Sequence, residues 1–285
     1  MKKMQIILMA VLLAAGAGYS ALLTVDFEGL TTGTNPPAPA ITRPVNSLRT
    51  VDNQITVVST TAMGTGQGVR FLDNNGAVAS ALEYNFVAAS NAQVSAISYT
   101  FSYAQTAMAN TNGAVTVSIG KYNTDTAGTT LNSTTRNVFR MDLKGDGWVA
   151  IASNNSAKAI GQYAQSTAHT VAIYANDYDT QQVKYTILGT DYTVNGNSAD
   201  VWIDGALVGQ GMSFYLGMTN DLGGVLNVGN TTNNLGRIGF VSSSSAIGSD
   251  FQLDNLVVNE IPEPATMGML LLGAVTVLAV RRRRA

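Results

Sequence analysis

The sequence predicts an all-β fold, an antiparallel sandwich of jelly-roll type, from three observations. Between Ala21 and Glu260, apolar side chains recur at alternate positions in short runs, the spacing that turns one face of a strand towards a core. These runs succeed one another at roughly 10–15 residues, with Gly, Asn, Asp or Pro between them. No stretch of that region carries the 3.6-residue periodicity of a helix.

Lys2 and Lys3, the apolar stretch Ile6 to Ala17 and the small-residue exit Gly18-Tyr19-Ser20 have the layout of a secretory signal peptide over residues 1–20. The cut falls between Ser20 and Ala21, with Gly18 as the alternative. The apolar stretch is shorter than a membrane-spanning anchor requires. Beyond the cut lies one extracytoplasmic domain over residues 21–260, long enough for a single sizeable core.

Leu22 to Phe27 opens that domain as a strand. Thr31 to Pro44 contains Pro36, Pro37 and Pro39, too many prolines for a helix, and reads as a surface excursion. Ile55–Ser59 and Val69–Leu72 are strands. Leu82, Tyr84 and Phe86 share a face, as do Ile97, Tyr99, Phe101 and Tyr103, and then Val115, Val117 and Ile119. Phe139, Met141 and Leu143 point one way while Arg140 and Asp142 point the other. Lys144-Gly145-Asp146-Gly147 turns the chain, and Trp148 to Ala152 returns as the partner strand. Ala168–Tyr174 is the next strand, succeeded by the loop Asn176-Asp177-Tyr178-Asp179 and a strand on which Tyr185 and Ile187 share a face. Val201-Trp202-Ile203, the turn Asp204-Gly205 and Leu207-Val208 form a hairpin. Ile238–Val241 and Phe251–Val258 close the domain.

The middle region is acidic. Setting aside Lys2, Lys3 and Arg281 to Arg284 leaves 10 of the 16 basic residues; setting aside Glu263 leaves 17 of the 18 acidic ones, a net charge of −7. That balance argues against nucleic acid as a partner. Cysteine is absent, so the domain relies on its core, and on ions if any, rather than on disulfides.

The C-terminal segment 261–285 has three parts in fixed order: Pro262-Glu263-Pro264, an uncharged apolar run from Ala265 to Val280, and Arg281, Arg282, Arg283 and Arg284. The prolines hold the triplet extended. As a transmembrane helix the run would cover about 24 Å at 1.5 Å per residue. The arginines are costly to move across a bilayer and stay cytoplasmic. This order resembles the PEP-CTERM sorting signal of Gram-negative bacteria, with Pro262, Glu263 and Pro264 matching the triplet one for one. The resemblance implies recognition by an exosortase, transient anchoring in the inner membrane, and transfer to the cell surface or exopolysaccharide. An ordinary C-terminal anchor would need no such triplet.

A second resemblance covers Asn137 to Val258. The segments HTVAIYAND, KYTIL, VWIDGALV, RIGFV and FQLDNLVV are similar to the laminin-G-like, concanavalin A-like jelly roll. It implies two curved antiparallel sheets and, often, carbohydrate or protein binding on a concave face or rim, but no ligand residue carries over by position.

The residues offer little catalytic chemistry. Glycoside hydrolysis on such a fold needs a pair of carboxylates about 5–10 Å apart. The glutamates ahead of the tail, Glu28, Glu83 and Glu260, form no alternate-position cluster, although Asp26 and Glu28 could share a face. His169 is the only histidine, has no Gly-x-Ser-x-Gly elbow, and reads as a strand-start residue bonded to backbone. Gly64, Gly66 and Gly68 do not lead a strand into a helix and are a flexible connection. Calcium is the ion to consider: pairing of the first and last strands would bring Asp26 near Asp254, against the alternative that Asp254-Asn255 bulges its strand. Trp148 and Trp202, with loop residues Tyr178 and Tyr192, are the candidates for stacking on sugar rings; the competing reading of each Trp is core.

The expectation is therefore an exported, non-enzymatic surface or matrix protein, sorted by an exosortase and binding or embedded in extracellular polysaccharide. The alternatives are a surface glycoside hydrolase or lyase on the same fold, and a purely structural matrix component.

Overall fold

A computed structural model describes residues 20–36, 46–49, 55–59, 63, 66–73, 80–86, 96–108, 114–120, 137–145, 147–153, 156–178, 180–214, 235–242 and 249–261. Signal-peptide residues 1–19, Pro262-Glu263-Pro264, the apolar run expected to form a transmembrane helix and Arg281 to Arg284 lie outside these residues. Among the described residues no helix is long and apolar enough to cross a membrane.

The described chain is built of strands: β1 (Ser20–Val25), β2 (Asn46–Arg49), β3 (Ile55–Ser59), β4 (Gln67–Asp73), β5 (Ala81–Asn85), β6 (Ala96–Met108), β7 (Ala114–Gly120), β8 (Asn137–Lys144) and β9 (Trp148–Ser153). They continue with β10 (Ser156–Gln162), β11 (Ala168–Asn176), β12 (Val183–Ile187), β13 (Thr190–Val194), β14 (Ser198–Ile203), β15 (Ala206–Ser213), β16 (Arg237–Ser242) and β17 (Ser249–Glu260). One sheet has the order β15-β14-β11-β6-β17-β4-β3, with β1 also on β17; the other has the order β10-β9-β8-β7-β16-β5-β2. All pairings are antiparallel, and β12–β13 is a separate two-stranded sheet. The all-β antiparallel sandwich read from the alternation is what the chain forms.

Alternation places the core between the two large sheets. Tyr99, Phe101 and Tyr103 of β6, Val171 and Ile173 of β11, Val117 of β7 and Phe139 of β8 all enter it, each at 1% exposure or less. Phe101 and Phe240 meet edge to face at 5.1 Å between ring centres. The intervening residues take the opposite faces, and on the seven-stranded sheet several of these are polar yet buried. Glu83 of β5 forms an ion pair with Arg237 of β16, and both are 2% exposed. Asp142 accepts from the Thr116 hydroxyl at 2.7 Å and pairs with Arg140 at 3.1 Å, as their shared orientation predicts.

Strand β17 is long because it serves two partners along one edge. Ser249 to Leu253 pairs with β4, and Leu256 to Glu260 pairs with β1. Between these halves the ladder to β6 slips after Asp254, and Asn255 adopts a left-handed φ of 53°. The bulge that is one reading of Asp254-Asn255 is therefore present. The far end of β17 closes the domain: Ser20 lies opposite Glu260, and the Ile261 N–H bonds the Ala96 carbonyl at 2.9 Å.

Three strands are not legible in the sequence. β2 and β10 lack an alternating apolar face in their sequences, NSLR and SAKAIGQ. β13 contains Tyr192, so Tyr192 is a strand residue facing Tyr185 across the ladder and not a loop residue. Its hairpin turn is Leu188-Gly189, with φ of 49° and 78°. That is the geometry of a type I′ turn, but with leucine where Asn, Asp or Gly is usual, so the sequence carries no turn signal there.

Candidate functional site

The outer face of the eight-stranded sheet carries the residues with most to offer a ligand. On β14, Val201 and Ile203 enter the core, so Asp200 and Trp202 point outward; on β11, Ala172 and Tyr174 do the same. The β12–β13 hairpin lies over them and turns Val183, Tyr185 and Val194 inward. Tyr174 stacks on Tyr185 at 3.9 Å, Tyr185 stacks on Tyr192 at 5.7 Å, and Tyr192 meets Trp202 edge to face at 4.7 Å.

A hydrogen-bond relay fixes this stack. Trp202 Nε1–H donates to the Tyr185 hydroxyl at 3.0 Å, which donates to Asp200 Oδ2 at 2.7 Å; Asp200 Oδ1 accepts from the Gly211 N–H at 2.7 Å. Burial raises the Asp200 carboxyl above its ordinary range, opposed by the Gly211 and Tyr185 bonds. Burial and the neighbouring carboxylate also push the Tyr185 phenol upward. A two-stranded hairpin alone is marginal in water, so this docking is what holds β12–β13 in place.

The four residues expected to contact sugar fall out unequally. Trp202, Tyr178 and Tyr192 converge on this one cluster. Trp202 is 4% exposed, so its indole is core and offers no face to a sugar. Tyr174, Tyr178 and Tyr192 are half-buried. Trp148 lies on β9 in the other sheet, and its side chain is outside the described set. Sequence reasoning misses Tyr174 because the alternation of β11 marks it only as the solvent face of a strand.

A second corner forms where β1 ends. Asp26 and Glu28 come directly after β1, and Asp254 sits at the bulge of its partner β17, so the predicted approach of Asp26 to Asp254 occurs. Burial, with the charges of Glu28 and Asp26, pushes the Asp254 carboxyl up to about 6, although bonding from the Asn255 N–H at 2.7 Å opposes the rise. Calcium would find oxygen donors here. Among the described residues, however, no three His, Cys, Asp or Glu side chains gather as a metal-holding group.

The raised Asp254 carboxyl makes a pH prediction. The folded chain holds this proton up to about pH 6, whereas an unfolded aspartate releases it near 3.8. The folded state then binds more protons between about pH 4 and 6, so stability falls as pH rises through that window and stays lower above it. Asp254→Asn should raise the Tm at pH 7, by an amount equivalent to about 1 kcal/mol after allowing for solvent screening, and leave it nearly unchanged at pH 4. Thermal melts at the two pH values check this; equal shifts at both would refute it.

His169 forms a third node. It is 6% exposed and lies against Tyr103 and Tyr163. Its Nδ1 is 2.6 Å from Asp204 Oδ2, and its Nε2 is 3.0 Å from Thr167 Oγ1, an outline resembling a catalytic triad. Nε2 also lies 2.5 Å from the Ala164 carbonyl, so the ring is tied to backbone as well as to the two side chains. Asp204 Oδ1 meanwhile accepts from the Thr170 N–H at 2.9 Å. The node pins the β14–β15 turn to β11, and the backbone-bonded histidine expected from the sequence is present.

Fold and tail together define the class: an all-β antiparallel sandwich with a sorting signal at its C-terminal end. The PEP-CTERM protein-sorting motif matches residues 260–284, so the chain carries that motif. No curated protein matches the chain. Among solved structures, the chain is similar to a conserved carbohydrate esterase from Shiga toxin-encoding bacteriophage phi24B, at 14% identity over 85% of this chain and 99% of that one, with a TM-score of 0.48. It is also similar to the Emp47p carbohydrate recognition domain, at 9% identity over 86% and 98% of the two chains, TM-score 0.46. The likeness to Cip1, a cellulose induced protein, is of the same order: 9% identity, 83% and 96%, TM-score 0.46. The chain spans 17% of the length of a sialidase that it also resembles, at 13% identity over 72% of this chain and a TM-score of 0.44.

Proposed function

We propose that this is an exported protein whose tail is read by an exosortase, and whose ectodomain is a non-catalytic module contacting extracellular polysaccharide at the surface of a Gram-negative bacterium. The observation that carries the proposal is where the last described strand ends. The last strand stops at Glu260, Ile261 is tied to Ala96, and the triplet starts at the next residue. Removal of everything from Pro262 onward would leave every described strand intact, as a detachable sorting signal requires.

Replacing Pro262, Glu263 and Pro264 with alanine should leave the precursor at full length in the membrane fraction, while the native chain loses its tail. Processing at the native rate would sink the sorting half of the proposal. The glycan half rests on the half-buried Tyr174, Tyr178 and Tyr192, amphipathic rings packed against the cluster. Titration of the processed protein with the producing cell's exopolysaccharide should saturate, and Tyr178→Ala should weaken it by removing a large apolar contact surface. Unsaturable binding would favour a purely structural matrix role; turnover of the polysaccharide would favour the hydrolase or lyase. Calcium held between Asp26 and Asp254 is a separate arm of the proposal. Added calcium should raise the Tm of the native chain but not of Asp254→Asn, and no rise in either removes the ion.

A further inference from the structure

The sorting tail leaves the fold inside the aromatic cluster. Ile261 is 2% exposed and packs in one group with Ala96, Val183, Tyr185, Val194 and Trp202. Only Pro262, Glu263 and Pro264 separate it from the apolar run that begins at Ala265. Even fully extended, the four Cα steps from Ile261 to Ala265 reach at most about 14 Å. A run inserted in a bilayer therefore holds this end of the domain at headgroup level.

The surface around that exit suits such a position. Tyr174 and Tyr178, half-buried against the cluster, have the apolar ring and polar tip that favour the membrane–water interface. From the exit, the β12–β13 hairpin extends along β14 to Leu188, which is 84% exposed and the only exposed large hydrophobic residue among those described. Leu188 is held at a left-handed φ of 49°, with its Cδ1 against Gly205. Between the two ends, the exposed Lys184 offers a cation to lipid phosphate, and the Asp191 carboxylate accepts from the Thr186 hydroxyl at 2.7 Å. With a domain charge of −7, long-range attraction to anionic lipid is absent, so the tail sets the approach.

We propose that, while the tail is in the bilayer, the hairpin face docks on the lipid surface through Tyr178 and Leu188. The docking rests on the reading of the tail as a membrane anchor, and its test separates the two. Because the chain has no cysteine, single-cysteine variants of the full chain can carry one nitroxide each. Tyr178→Cys and Leu188→Cys probe the proposed face; Thr32→Cys and Ser59→Cys, at the β3 edge of the same sheet, are controls. Each is reconstituted into nanodiscs of three parts phosphatidylethanolamine to one part phosphatidylglycerol, and accessibility to oxygen is compared with that to an aqueous nickel complex. The oxygen-to-nickel ratio should be several-fold higher at 178 and 188 than at the controls. Equal ratios at all four sites in incorporated protein would overturn the docking and leave the anchor standing. Failure of the chain to incorporate would overturn both. Leu188→Cys alters only an exposed side chain, so its result stands even if Tyr178→Cys perturbs the cluster.

Discussion

Glu83→Ala should destabilise the domain by about 3–5 kcal/mol, because it leaves Arg237 buried without its carboxylate. The pair lies on the outer face of the seven-stranded sheet, and both members are 2% exposed. Burial lowers the Arg237 guanidinium to about 10. Removing the carboxylate keeps the desolvation cost and loses the attraction that offsets it. The double variant Glu83→Leu/Arg237→Leu, which removes both charges, should recover most of the loss. Urea unfolding with an unchanged m-value reads both variants. If the double variant is as weak as the single, the two residues do not act as a unit and the account is wrong.

Trp202→Ala should cost a similar amount, about 3–5 kcal/mol, because the indole is a buried ring and not an exposed ligand platform. It would also remove the donor to Tyr185 and the edge contact to Tyr192, so the hairpin would lose its seat. Amide exchange in Val183–Val194 should then accelerate ahead of exchange in β11 or β14. Trp202→Phe keeps most of the volume and loses the Nε1–H, so its cost should be nearer 1 kcal/mol. A loss below about 1 kcal/mol for Trp202→Ala, with hairpin protection intact, would contradict the burial described. Any loss of glycan binding in Trp202→Ala would act through Tyr174, Tyr178 and Tyr192, which the cluster holds.

The Asp204-Gly205 turn shows how far local chemistry reaches. Asp-Gly between two apolar runs predicts a hairpin, and the observed φ values of 50° and 76° are the left-handed pair that a type I′ turn requires. The neighbouring Leu188-Gly189 turn adopts the same geometry without the same signal. That turn is held by the docking of the β12–β13 hairpin on the sheet, through Val183, Tyr185 and Val194, and not by a residue preference of its own. That is why the sequence alone does not reveal β13 and places Tyr192 in a loop.

The sequence by itself determined the properties carried within a few residues: the period-2 faces, the strong turns and the Pro-Glu-Pro triplet of the sorting motif. Phe139, Met141 and Leu143 went to the core, and Arg140 and Asp142 to the other face, because a strand's side chains must alternate whatever it pairs with. The tertiary structure decided what depends on strand neighbours. Only the pairing of β17 with both β4 and β1 puts the bulge at Asp254 beside Asp26. Only the hairpin's place over β14 buries Trp202 and gathers Tyr174, Tyr178 and Tyr192 around it. Whether an outward-facing ring is wet or dry is set by what packs on it, and alternation along one strand holds no record of that.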